Sequence, residues 1–153
     1  MNFLKIAVEE AFNGMRINDG GPFGAVIVKD GKIISQGHNE VIKTNDPTAH
    51  AEIVAIRKAS SLLKRFDLSD CEIYSSCEPC PMCLAAIHWA KMRTLYYGCS
   101  KEDAAEIGFD DNYIYEVIKG TAKKEQVSKI QINRIDCLPP FKEWNEKENK
   151  KVY

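Results

Sequence analysis

Apolar residues recur at helical spacing from the start of the chain. Phe3, Leu4, Ala7, Val8, Ala11, Phe12 and Met15 share one face, which predicts an amphipathic helix ended by the turn Asn18-Asp19-Gly20-Gly21-Pro22. GAVIVK (24–29) and KIISQG (32–37) read as strands joined through Asp30-Gly31, a strong two-residue hairpin signal. TAHAEIVAIRKASSLL (48–63) predicts a helix, CEIYSS (71–76) a strand, PMCLAAIHWAK (81–91) a helix and TLYYGC (94–99) a strand. Beyond these, EDAAEI and NYIYEVI look helical, SKIQINRI (128–135) alternates like an edge strand, and PFKEWNEKENKK is a mostly polar tail. Helices alternating with strands after an initial hairpin predict an α/β layer fold with a mixed sheet. GGPFG is not a phosphate loop, because no strand precedes it and its glycine spacing is wrong.

Composition narrows the class. A chain of 153 residues fits one domain, 1–153, large enough to be stable without disulfides. Lys plus Arg is 21 and Asp plus Glu is 22, a balance that offers no general electrostatic grip on nucleic acid. Cys71, Cys99 and Cys137 are scattered singly, as reduced thiols are. Lys5, Glu9 and Glu10 interrupt the opening apolar run, and no stretch approaches the ~20 apolar residues of a membrane helix. A soluble, cytoplasmic protein is expected.

The other three cysteines sit together in C-E-P-C-P-M-C (77–83). Pro81 suits the first position of a helix, which puts Cys80 and Cys83 at a helix start, where unpaired N–H groups favour thiolates. Two thiolates three apart are half a zinc site. N-D-P-T-A-H-A-E (45–52) supplies the other half: Asp46 or Thr48 can cap a helix, Pro47 suits its first turn, and His50 follows. Two closures are possible. Cys77, Cys80, Cys83 and His50 would make a closed structural site, whereas Cys80, Cys83 and His50 alone would leave a fourth position to water. Glu52 favours the open one. Zinc lowers the pKa of bound water to about 7, and a carboxylate beside it can carry the proton. A structural knot has no use for that carboxylate. His38 and His88 have no companions at metal spacing and are not expected as ligands.

H50-A-E52 with P79-C80-P-M-C83 is the signature of zinc nucleobase deaminases, and the chain resembles the cytidine-deaminase-like superfamily over nearly its whole length. The resemblance implies a three-layer α/β/α fold around a five-stranded mixed sheet. It also implies hydrolysis at an amino-bearing ring carbon, with Glu52 as proton shuttle. Cytosine, adenine and guanine all present the required N=C–NH2, so these residues indicate the reaction and not the base. Within the superfamily the chain looks most like the small bacterial guanine deaminases. That likeness rests on GGPFGAVIVKDG (20–31), Asn39, NDPTAHAE, SCEPCPMC, Trp89, GFDDNYIY (108–115) and the PF..W and KK.Y of the last fifteen residues.

The likeness implies a purine-base substrate, no nucleic-acid partner, and a homodimer, with residues 139–153 as a tail over an active site that can belong to the partner. It also implies base-binding roles for Asn39 and Asp111 and pocket positions for Phe23, Trp89 and Tyr153. Each has a plainer reading: Asn39 as a turn residue, Asp111 as a helix cap, Phe23 as core, the tail as a frayed end. Two other functions stand beside this one. A tRNA adenosine deaminase shares the signature and size but not GFDDNYIY; a zinc-stabilised binding module would leave Glu52 unexplained.

Overall fold

The structure is a computed structural model that describes residues 2–153; Met1, where the single-domain reading begins, lies outside them. Helix α1 (Phe3–Arg16) is capped by Asn2, whose side chain accepts the Lys5 N–H, and packs on the hairpin β1 (Gly24–Lys29) and β2 (Lys32–His38). Asp30 and Gly31 both take positive φ, 49° and 71°, as a primed hairpin turn requires. A short helix, α2 (Val41–Thr44), precedes α3 (Ala51–Leu63); then come β3 (Glu72–Cys77), α4 (Pro81–Trp89) and β4 (Thr94–Cys99). The chain ends with α5 (Lys101–Glu106), α6 (Asn112–Lys119), α7 (Arg134–Cys137) and α8 (Pro139–Glu146).

The strands order as β2-β1-β3-β4, antiparallel across the first two pairings and parallel across β3 and β4. β1 is apolar on both faces because both are covered. Val26 and Val28 meet Ala7 of α1, while Ala25 and Ile27 join Ile73, Ile87 and the alanines of α3. This makes three layers.

The expected fifth strand is absent among the described residues, so the sheet has four strands. SKIQINRI stays irregular up to α7, with Ile130 and Ile132 exposed. Alternation supplies one apolar face, but a strand also needs an edge to pair with, and this segment does not reach the free edge of β4. The segment read as a polar tail contains α8, with Phe141 and Trp144 on it. No described helix is long and apolar enough to cross a membrane.

Candidate active site

Two helix starts meet at one end of the sheet. α3 begins at Ala51, later than its capping residues predict, because Asp46 turns its carboxylate to its own loop and accepts both the N–H and the hydroxyl of Thr48. His50 is thereby left at the cap position of α3 with its ring free of capping. Cys80 holds the same position on α4, Pro81 follows, and neither Cys80 nor His50 caps with its side chain. Free of that task, the His50 ring and the two thiols face each other. His50 Nδ1 lies 3.5 Å from the sulfur of Cys80 and 3.5 Å from that of Cys83.

That spacing tests the site for zinc. Ordinary zinc–nitrogen and zinc–sulfur bonds at a tetrahedral ion separate nitrogen from sulfur by about 3.6 Å. The donor set therefore fits zinc almost as it stands. The Cys83 and His50 hydrogen bonds pull the Cys80 thiol down to about 4, while Cys80 and burial push Cys83 up. His50 is raised by its bond to Cys80. Cys77 stands apart, its thiol directed at the Ser100 carbonyl (3.5 Å) and pushed up to about 11 by burial. Its geometry suits a side chain outside the donor set.

Glu52, buried on the first turn of α3, shares a cavity of about 740 Å³ with His50 and Cys80. Burial raises its pKa, the direction that would suit a group exchanging protons near neutral pH. Asn39 and Phe23 also line this cavity, with Gly20, Gly21 and Asp111. The Val41 N–H donates to Asn39 Oδ1 at 3.1 Å, which leaves the Asn39 amino group as a donor. A methyl on Gly20 would overlap that same Oδ1, so only glycine leaves the carboxamide its place. Phe23 meets Phe109 edge-on, with 4.9 Å between ring centres.

Asp111 occupies the cap position of α6 but makes no capping hydrogen bond. Asp110 accepts the Asn112 N–H at 2.9 Å, closing its own turn. The Asp111 carboxylate is left to the cavity, its pKa raised by partial burial and then by the Cys80 thiolate.

Two expected pocket residues are not on this chain's cavity wall. Trp89 ends α4, about 12 Å along the helix from its start. It is 65% exposed, and its neighbour there is Tyr153, 6.0 Å away. Tyr153 also contacts Phe66, at 6.0 Å. A helix that opens at the site carries its last turn away from it.

Other cavity residues escaped the sequence reading. Glu78 and Phe109 lie inside motifs already singled out, so their position was the available signal. His38, not expected as a metal ligand, has its ring against Asp19 (2.8 Å), Glu10 (3.3 Å) and Glu40 (3.8 Å). Lys43 also bonds Asp19, at 3.1 Å, which supplies the cluster's positive charge. This network ties α1 to the loop that carries Asn39, and no spacing along the chain announces it.

Comparison with known proteins agrees with this geometry. The family model for the cytidine and deoxycytidylate deaminase zinc-binding region matches residues 1–99. A guanine deaminase of Bacillus subtilis is 51% identical over 151 residues, 99% of this chain and 97% of that protein. The crystal structure of guanine deaminase from Bacillus subtilis superposes with a TM-score of 0.94 at 51% identity, covering 100% of this chain and 99% of the other. A tRNA-specific adenosine deaminase of Agrobacterium fabrum is 42% identical over 109 residues, 70% of this chain and 71% of its own.

Proposed function

The chain belongs to the cytidine and deoxycytidylate deaminase zinc-binding family, and from that premise we propose that it hydrolyses guanine to xanthine and ammonia. The observation that carries this reading is the uncapped Asp111 carboxylate facing the same cavity as Glu52 and the His50–Cys80–Cys83 donor set. Guanine carries ring N–H groups for a carboxylate to accept, and cytosine lacks them. Asn39, with its oxygen engaged by Val41, offers its amino group to an acceptor on the ring edge. Phe23 and Phe109 supply an aromatic wall beside a flat base.

Zinc is the cofactor, which His50, Cys80 and Cys83 would hold; when bound it would lower the pKa of a water to about 7. Glu52 handles the protons. It takes one from water as the water oxygen bonds to C2 of guanine, and delivers it to the neighbouring ring nitrogen. It then carries the remaining hydroxyl proton to the amino group. The C2–N bond breaks, ammonia leaves, and C2 keeps the oxygen as the carbonyl of xanthine.

The partner is a second copy of this chain. Apolar residues left in solvent concentrate in the last third: Ile118, Ile130, Ile132, Ile135 and Phe141 are each about 70–80% exposed. Apolar side chains exposed in this number favour an interaction site there. Exchanged tails would cover it, and would bring Tyr153 toward the partner's cavity. Ammonia release from guanine, adenine, cytosine, cytidine and tRNA tests the substrate. Guanine is expected to be turned over, and release from tRNA alone would replace this reading with the tRNA-editing one.

A further inference from the structure

Ser75 stands where the packing pattern calls for an apolar side chain. Alternation along β3 turns Ile73, Ser75 and Cys77 to the face beneath α3 and α4, and Ser75 pairs across the sheet with Ala25. The neighbours on that face, Ala25, Ile27 and Ile73, form the main core. A hydroxyl placed there without a partner would be destabilising. Ser75 is 2% exposed, and its hydroxyl donates to Glu52 Oε1 at 2.9 Å. Glu52 is 5% exposed, so little water is available to replace that donor.

We propose that Ser75 is a positioning residue for Glu52, pinning one carboxylate oxygen so that the other alone serves the cavity. This rests on the reading of Glu52 as the proton carrier. A glutamate carboxylate, two methylenes from its Cα, can rotate about its terminal torsion, which is broad and roughly two-fold. Proton transfer requires it within hydrogen-bond reach of both the water and the ring nitrogen. Holding Oε1 against the strand removes that rotation before substrate arrives, which is pre-paid orientation. Ser75 itself lies outside the cavity lining and the His50–Cys80–Cys83 group. Its removal should therefore act on the rate of the chemical step and leave guanine binding alone.

Ser75→Ala is expected to lower kcat for guanine about 10- to 100-fold with KM unchanged and one zinc per chain retained. Ser75→Thr and Ser75→Val match each other in shape and differ in the hydroxyl. The Thr variant should exceed the Val variant in kcat by a similar factor, whatever strain the added methyl brings to both. Crystals of Ser75→Ala should show the Glu52 carboxylate rotated or spread over two positions. A Ser75→Ala protein with kcat within twofold of the parent, or with Glu52 unmoved, would overturn the inference. Should the parent release no ammonia from guanine, the substrate reading fails by itself, and the Glu52 position in the Ser75→Ala crystal still decides the role of Ser75.

Discussion

Glu52, Cys77 and Asp111 each admit two explanations as single residues, and their surroundings separate them. Glu52 is buried beside the donor set, with a pKa raised by that burial. Glu52→Gln keeps its shape and removes the proton carrier, so kcat should fall by about 10³- to 10⁴-fold or more, with zinc content unchanged by metal analysis. Cys77 faces the Ser100 carbonyl and lies outside the group formed by His50, Cys80 and Cys83. Metal analysis of Cys77→Ser should accordingly find one zinc per chain, and that of Cys83→Ser none. Asp111 sits at a helix cap position but makes no capping hydrogen bond, while Asp110 closes its own turn on the Asn112 N–H. Hydrogen bonds to a charged group are worth about 1.5–3 kcal/mol, so Asp111→Asn should cost roughly 10- to 150-fold in kcat/KM for guanine. A loss of thermal stability with unchanged guanine turnover would return Asp111 to the role of a cap.

Elements converge on the site because the two ligand-bearing helices start at the same end of the sheet. Pro81 at the first position of α4 was legible, since proline there lacks only an N–H that the helix does not use. The start of α3 was not, because Asp46 can either cap a helix or close its own turn, and the loop chose the turn. At the opposite end of these elements, Asp70 joins Lys29 at the end of β1 (2.8 Å) to Arg65 just beyond α3 (2.5 Å). Lys29 first, and then Arg65, hold the Asp70 carboxyl far below the usual carboxylate range. A depressed folded pKa contributes stability above the unfolded value of about 4, and that contribution disappears as pH falls toward the folded pKa. Asp70→Asn should thus lower the Tm at pH 7, and the deficit should shrink in thermal melts below about pH 4. Because the pair is exposed, high salt should shrink the deficit too.

At the scale of the whole molecule, the tail lies away from the cavity that it is proposed to cover. Tyr153 rests on Phe66 and Trp89, and the isoleucines between α6 and α8 face solvent. A lid formed by a second copy would exclude bulk water from the reacting carbon and add an aromatic face against the base. Deleting residues 150–153 should leave zinc content and the thermal melt unchanged while sharply reducing guanine turnover. Sedimentation of the full chain should show a dimer. Full turnover by the truncated protein would mean that the tail is no lid.

The sequence by itself determined the parts whose signals are local. Helical periodicity, the Asp30-Gly31 turn and the proline at a helix start act over a few residues, so they are written in adjacent letters. The donor set belongs with them, because His50, Cys80 and Cys83 sit in two short motifs whose chemistry needs those residue types. Tertiary structure alone decided what depends on the partner an element finds. SKIQINRI carries the alternation of a strand but meets no edge, and a ladder requires two strands. Trp89 shares a helix with Cys80 and Cys83, but a rise of 1.5 Å per residue carries it away from them. Ser75 is one more small residue in a strand until α3 lays Glu52 against it at 2.9 Å. A hydrogen bond between residues 23 positions apart leaves no periodic trace along the chain, because its energy depends on packing and not on spacing.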